Sequence, residues 1–431
     1  MTKICVIGGG SAYMPGIAYA FAKLADHFPD TTVTLHDIDP DALDLQTRLS
    51  GSILRSRGVR GVRVDASRDR AGALEGADMV LTAFRPGGFP ARQLDESIPP
   101  RYGVIGQETA GPGGFAMALR SIPVLLDIAK EVRKVGAPGA VILNYTNPVQ
   151  VVTDALVRYG DVPFIGLCDQ TSGEIGFLAR LMGVNRGALE IDTSGTNHMT
   201  FTRAVRLDGV DVTGRVWNLL DGLDLGSLAT EAERRIVRLF RVLRLIPSEY
   251  LQYFFFHDQV LAEQRSKGRT RAGEIMAQLP EVLESYRREA DAADPRPSMA
   301  RASEEHGDFA VEVMAAMLSG RPGRFILNVP NRGAITDLPA DAVVEVPCRV
   351  MGRTIQPLAQ GAMPAMVAGL VRQVVEHARL AADAAVDGER EACVRALLAH
   401  PLVRSLETAE ALTEEFLTAH AAWLPQFARL S

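Results

Sequence analysis

Two short segments carry residues able to hold a metal ion. Gly166-Leu167-Cys168-Asp169 is followed about thirty residues later by Thr196-Asn197-His198-Met199. A thiolate and an imidazole can bind a divalent cation together and leave several coordination positions open. Both stand where a buried strand is expected to end. The chain also opens with a glycine-rich turn suited to a nucleotide. A dinucleotide beside an open metal site points to redox chemistry on a chelating substrate, such as a sugar diol. Taken singly, the commoner fate of such a cysteine is a buried, inert thiol. A lone histidine of this kind is more often a core side chain bonded to backbone.

The elements that must position these residues are legible in the first third. Ile4 to Ile7 is a short apolar run, expected as a buried parallel strand. Gly8, Gly9, Gly10 and Ser11 follow at once, and a helical pattern begins at Gly16. A second strand, Thr32 to Leu35, runs into His36 and Asp37. Glycines let the backbone approach a pyrophosphate, and a helix N-terminus offers free N–H donors. Asp37 stands where an acid accepts hydrogen bonds from the adenine-ribose hydroxyls, which favours NAD over NADP. Further strands are expected at Asp78 to Ala83 and Ala140 to Leu143. The latter leads into Asn147-Pro148, as in the lactate and malate dehydrogenase type of Rossmann domain, where the Asn147 amide would orient a hydroxyl or carbonyl. Asn-Pro is also a general turn signal. The stretches 84–92 and 106–114 are rich in glycine and read as loops wrapped around a ligand, with Arg85 and Arg92 suited to phosphate oxygens.

Beyond Val205 helical patterns dominate: Glu231 to Leu245, Pro280 to Ala292, Asp308 to Leu318 and Ala362 to Asp383. Residues Ala342 to Val350 alternate as a strand. Tyr250, Tyr253, Phe254, Phe255 and Phe256 form an aromatic face. The expectation is an α/β fold: an N-terminal Rossmann domain over residues 1–167, with a lactate/malate dehydrogenase-like parallel sheet. A mixed α+β, mainly helical catalytic, metal-binding and oligomerisation domain follows over residues 168–431.

Composition narrows the function classes. With 431 residues, 47% hydrophobic and 23% charged, the chain suits a two-domain globular enzyme. The net charge of −6, with no basic stripe, argues against nucleic acid. Four scattered cysteines, Cys5, Cys168, Cys348 and Cys393, fit a reduced protein. No signal peptide precedes the first strand and no run long enough to cross a membrane is evident, so a cytoplasmic protein is expected. Its apolar helices suggest a homodimer or homotetramer.

The ordered set of motifs resembles a known family. Gly8-Gly9-Gly10-Ser11, Asp37-Ile38-Asp39, Phe84 to Gly88, Gly106-Gln107-Glu108-Thr109, Asn144 to Pro148, Gly166-Leu167-Cys168 and Asn197-His198 occur in order. Ser248 to Tyr253, Thr270-Arg271-Ala272, Asn328 to Gly333 and Leu338-Pro339 continue the match nearly to the end. The whole is similar to the NAD- and manganese-dependent glycosidases of glycoside hydrolase family 4, nearest the 6-phospho-glucosidase branch. The resemblance implies cleavage by oxidation at C3, deprotonation at C2, elimination, water addition and re-reduction; such NAD-dependent enzymes stand outside the two-carboxylate scheme. It implies NAD and Mn2+ (or another divalent metal) as cofactors. It implies Cys168 and His198 as metal ligands and Tyr250 as the C2 base, with Tyr253 as rival. Gly8, Gly9, Gly10, Ser11, Asp37 and Arg85 are assigned to the cofactor, and Arg92, Asn147, Asp169, Asn197 and Arg271 to a sugar or sugar-phosphate glycoside.

Two positions depart from the branch. Asp169 stands where many members carry Asn, and Met14 precedes Pro15 where Thr is common. An unphosphorylated sugar or a uronic acid therefore stays open as substrate. Two other function classes are an NAD-dependent dehydrogenase of a hydroxy acid or polyol, which would accumulate NADH, and a non-catalytic sugar-phosphate or nucleotide sensor, which would need no base at Tyr250.

Overall fold

The computed structural model describes residues 1–301 and 304–430. Its strands are β1 (Thr2–Ile7), β2 (Thr31–His36), β3 (Val62–Ala66), β4 (Met79–Thr82), β5 (Val141–Asn144), β6 (Phe164–Gly166), β7 (Leu189–Thr196), β8 (Met199–Leu207), β9 (Val210–Asp211), β10 (Ile246–Pro247), β11 (Gly323–Pro330), β12 (Val343–Met351) and β13 (Thr354–Pro357). Six of them form a parallel sheet in the order β3-β2-β1-β4-β5-β6. This is the doubly wound order of a Rossmann domain, in which ligands sit beyond the carboxyl ends of the strands. The central strands β4 and β5 are buried along their full lengths, because helices cover both faces.

The sheet does not stop at β6. Asn328 of β11 pairs antiparallel with Gly166, and the order continues through β12, β7, β8 and β10. β9 pairs with β8 and β13 with β12, giving one sheet of 13 strands. Chain from both halves of the sequence therefore meets at the end of β6. Gly166 is required there: a Cβ would stand 2.4 Å from Thr153 Oγ1 and 2.8 Å from Asn328 Cβ.

Several elements differ from the sequence expectation. The first helix starts at Met14 rather than Gly16, with Pro15 in its opening turn, where its missing N–H costs nothing. The stretches expected as loops each turn into a helix, Gly88–Ser97 and Pro112–Val135. Gly87, at φ 82, makes the reversal that begins the first of them. The helix expected from Pro280 instead spans Arg271–Glu289 and contains the proline. The aromatic face is split between a 3₁₀ turn, Glu249–Leu251, and a short helix, Gln252–Phe255. The 24-residue helix Pro112–Val135 is long and apolar enough to span a membrane, which the sequence reading missed. It lies mostly buried within the protein, and its Arg120 makes a fully buried ion pair with Asp95 at 2.6 Å.

Candidate active site

The nucleotide turn is built as the sequence suggested. Gly8 has φ 91, and a Cβ there would stand 2.4 Å from the Ala83 carbonyl oxygen, past the end of β4. A Cβ on Gly9 would meet Leu35 Cβ at 2.7 Å. Gly10 N–H donates to Asp37 Oδ2 at 2.8 Å, so turn and acid are locked together. Ser11 N–H donates to Gly8 O at 3.0 Å, and the helix Met14–Lys23 follows. A side chain on any of these glycines would collide with Ala83, Leu35 or Asp37, so the turn packs as bare backbone against the ends of β2 and β4. The cradle therefore fits a dinucleotide whose pyrophosphate approaches backbone and whose ribose diol meets Asp37.

The metal-ligand candidates converge across the extended sheet. Cys168 lies two residues beyond β6, where Leu167 N–H donates to Asn144 O at 2.8 Å. His198 occupies the tight turn between β7 and β8, with φ 63. Cys168 Sγ and His198 Nε2 are 3.4 Å apart. That separation lets one divalent cation reach both atoms. Burial pushes His198 down to about 3, so its imidazole is neutral and able to bind a metal. Burial, Glu345 and Asp169 push the Cys168 thiol well up, so a cation would have to displace its proton. Among the described residues no third His, Cys, Asp or Glu joins a metal-binding group. Further ligands would have to come from elsewhere, which suits a chelating substrate.

Tyr250 lies face to face on His198, ring centroids 3.6 Å apart and planes within 11°. Tyr253 is farther back, 5.9 Å from the Tyr250 ring. Burial, with Cys168 next, raises Tyr250 well above its ordinary value, and Tyr253 is pushed up to about 12, mainly by burial. A cation at Cys168 and His198 acts in the opposite direction on the nearer phenol.

The remaining candidates are placed as follows. Asp169 is the half-buried residue before the helix Gln170–Met182, beside Cys168. Asn197 donates from Nδ2 to Glu345 Oε1 at 3.3 Å, and Asn328 donates to the same oxygen at 3.0 Å. Glu345 is a buried carboxylate behind the site that the sequence reading did not single out. Asn147 follows β5 and is half-buried, joined to Pro148 by a cis peptide. Asn144, not Asn147, ties the strand end together, accepting from Thr82 Oγ1 at 2.7 Å.

The arginines are largely engaged. Arg85 pairs with Glu108 at 2.6 Å. Arg92, its side chain only 10% exposed, lies between Glu96 at 2.7 Å and Glu108 at 2.9 Å. A phosphate at Arg92 would compete with two carboxylates. Glu96 also accepts from the Ala272 N–H at 2.8 Å, which ties this ion network to the start of the helix Arg271–Glu289. Arg271 itself is 57% exposed and meets Glu274 at 2.9 Å. Such an exposed pair is weak, so Arg271 can turn to another anion. Glu108 and Thr109 escaped assignment although their segment was singled out, because their partners are distant in sequence.

Comparison with known proteins identifies the family. Residues 3–184 match the family 4 glycosyl hydrolase profile, and residues 193–403 match the family 4 glycosyl hydrolase C-terminal domain. The 6-phospho-beta-glucosidase of Escherichia coli K12 is 34% identical over 447 residues, covering 99% of this chain and 97% of that protein. The 6-phospho-beta glucosidase of Thermotoga maritima, solved with manganese, NAD+ and glucose-6-phosphate, is 30% identical, with a TM-score of 0.86 and coverage of 98% and 99%. A 6-phospho-alpha-glucosidase from gut microorganisms, solved with NAD and Mn2+, is 26% identical with a TM-score of 0.88, covering 98% and 99%. With family models matched over residues 3–184 and 193–403, the chain belongs to family 4 of the glycosyl hydrolases.

Proposed function

We propose that this protein hydrolyses 6-phospho-glucosides using NAD+ and a divalent metal, manganese by preference. The observation that carries the reading is the 3.4 Å approach of Cys168 Sγ to His198 Nε2 under the Tyr250 ring, on the same sheet as the nucleotide turn. Relatives of this chain named as 6-phospho-glucosidases, two of them solved with NAD and manganese, support it.

Gly8, Gly9 and Gly10 admit the cofactor's pyrophosphate to the backbone, and Asp37 orients the adenosine ribose. Cys168, after losing its proton, and His198 would hold the metal. When bound, NAD+ supplies a hydride acceptor that is restored in each cycle, and the metal supplies a Lewis acid for an adjacent oxygen. Tyr250 is the nearest phenol and would take the C2 proton of the sugar. Asn147, Asn197 and Asp169 would offer hydrogen-bonding groups to the sugar hydroxyls. Arg271, the more accessible of the two candidate arginines, would meet the 6-phosphate. Tyr250 stacked on His198 beside Cys168 would place a base next to a metal, which a non-catalytic sensor does not need.

The test is an assay of aryl glucosides, α and β, with and without a 6-phosphate, at catalytic NAD+ and saturating Mn2+. The 6-phosphorylated substrate is expected to release many equivalents of phenol per NAD+ with no net NADH. NADH accumulating in step with product would establish a dehydrogenase. Equal cleavage of phosphorylated and unphosphorylated glucosides would remove the phosphate from the reading.

A further inference from the structure

We propose that Thr109 is a positioning residue that fixes the ring tautomer of His198 and so presents a bare Nε2 to the metal. The inference rests on the reading of Cys168 and His198 as metal ligands. Its basis is a hydrogen-bond chain whose directions can be worked out from one end. Gln107 Oε1 accepts the backbone N–H of Thr109 at 2.7 Å and also that of Ala110. Backbone N–H groups only donate, so this atom of the Gln107 amide must be its oxygen.

The Thr109 hydroxyl lies 2.9 Å from the same oxygen. An amide oxygen cannot donate, so as a hydrogen bond this contact takes the Thr109 proton to Gln107. Thr109 Oγ1 is then left as an acceptor toward its other neighbour, His198 Nδ1, at 2.8 Å. That contact requires a proton on Nδ1. In a neutral imidazole the proton on Nδ1 leaves Nε2 with its lone pair, and Nε2 is the atom that faces Cys168 Sγ at 3.4 Å. In the reverse tautomer an N–H would point at the metal position and a lone pair at the oxygen lone pairs of Thr109.

The segment carrying Thr109 is held from several sides. Gly106 exchanges two hydrogen bonds with the Gln264 amide, at 3.0 and 3.1 Å. Glu108 is fixed by Arg85 and Arg92. Gly114 packs so closely that a Cβ on it would stand 2.5 Å from Thr109 O. The segment that carries the Thr109 hydroxyl to His198 Nδ1 is therefore anchored by the ion network around Glu108.

The test compares Thr109→Val, which keeps the shape and loses the hydroxyl, with Thr109→Ser, which keeps the hydroxyl. Mn2+ binding is measured on NAD+-loaded protein by loss of the free-ion electron paramagnetic resonance signal. Partners of metal-bound histidines are typically worth roughly 10–100-fold in affinity, and Thr109→Val is expected to weaken Mn2+ binding by that factor. Thr109→Ser should stay within about threefold of wild type on the same reasoning. NAD+ affinity should not move in either variant. Histidine-selective 15N spectra of the metal-free protein should show His198 protonated at Nδ1 in the wild type and Thr109→Ser, and shifted toward Nε2 in Thr109→Val. Wild-type Mn2+ affinity in a folded Thr109→Val, an unchanged tautomer in that variant, or failure of Thr109→Ser to restore binding would overturn the inference while leaving the ligand pair intact. Absence of Mn2+ binding by the wild type would overturn the ligand reading, and this inference with it.

Discussion

Cys168→Ser is expected to fold, to bind NAD+ as before and to lose nearly all turnover. Cys168 sits two residues past β6 with its Sγ 3.4 Å from His198 Nε2, and no third His, Cys, Asp or Glu joins a metal-binding group with them among the described residues. A site with two protein ligands has little reserve when one is removed. Losing only a partner of a ligand typically costs roughly 10–100-fold in metal affinity, so losing the thiolate itself should exceed that range. The substitution exchanges one small buried side chain for another, and the glycine turn lies at different strand ends. Mn2+ titration, far-ultraviolet circular dichroism and NAD+ titration on one preparation separate these effects. Bound Mn2+ and turnover at wild-type levels would remove Cys168 from the metal site.

The second large effect is expected at Tyr250. General-base catalysis typically contributes roughly 10²–10⁴-fold, and Tyr250→Phe should lower kcat by that factor. The ring stacked on His198 is retained in phenylalanine, so Mn2+ and NAD+ affinities should stay near wild type. Tyr253→Phe is the control. Tyr253 lies 5.9 Å beyond the Tyr250 ring, and its loss should cost less than about tenfold, below the range expected for a base. Full kcat in Tyr250→Phe, or the larger loss in Tyr253→Phe, would transfer the role of base.

The parts legible in the sequence are those whose pattern is local. The strand–glycine–helix–strand–acid unit ending at Asp37 is written in consecutive residues, and Gly10 and Asp37 are hydrogen-bonded as that spacing requires. The closeness of Cys168 and His198 is not local. β6 and β7 are not neighbours; β11 and β12, from more than a hundred residues later, lie between them in the sheet. Motif resemblance identified the pair where periodicity and spacing could not bring them together. The arginines show the opposite limit. Arg85 and Arg92 have the chemistry for phosphate, yet Glu96 and Glu108 fold onto them, and a buried cation is satisfied by whichever carboxylate the tertiary structure supplies. Pro280 signalled a helix start, but the helix runs from Arg271 through it, where tertiary packing overrides the local preference. Thr109 was hidden in a glycine-rich stretch, since its meaning depends on a histidine 89 positions away.

The central claim is that the glycosidic bond is broken by elimination from an oxidised sugar instead of by direct displacement at C1. Turnover of a 6-phospho-glucoside in deuterated water, followed by mass and NMR analysis of the sugar product, tests it most directly. The account predicts deuterium at C2 of the product, since that proton leaves and is replaced from solvent in each cycle. It predicts the original hydrogen at C3, since NADH returns the hydride to the carbon it left. Efficient cleavage with ordinary hydrogen retained at C2 would contradict the account.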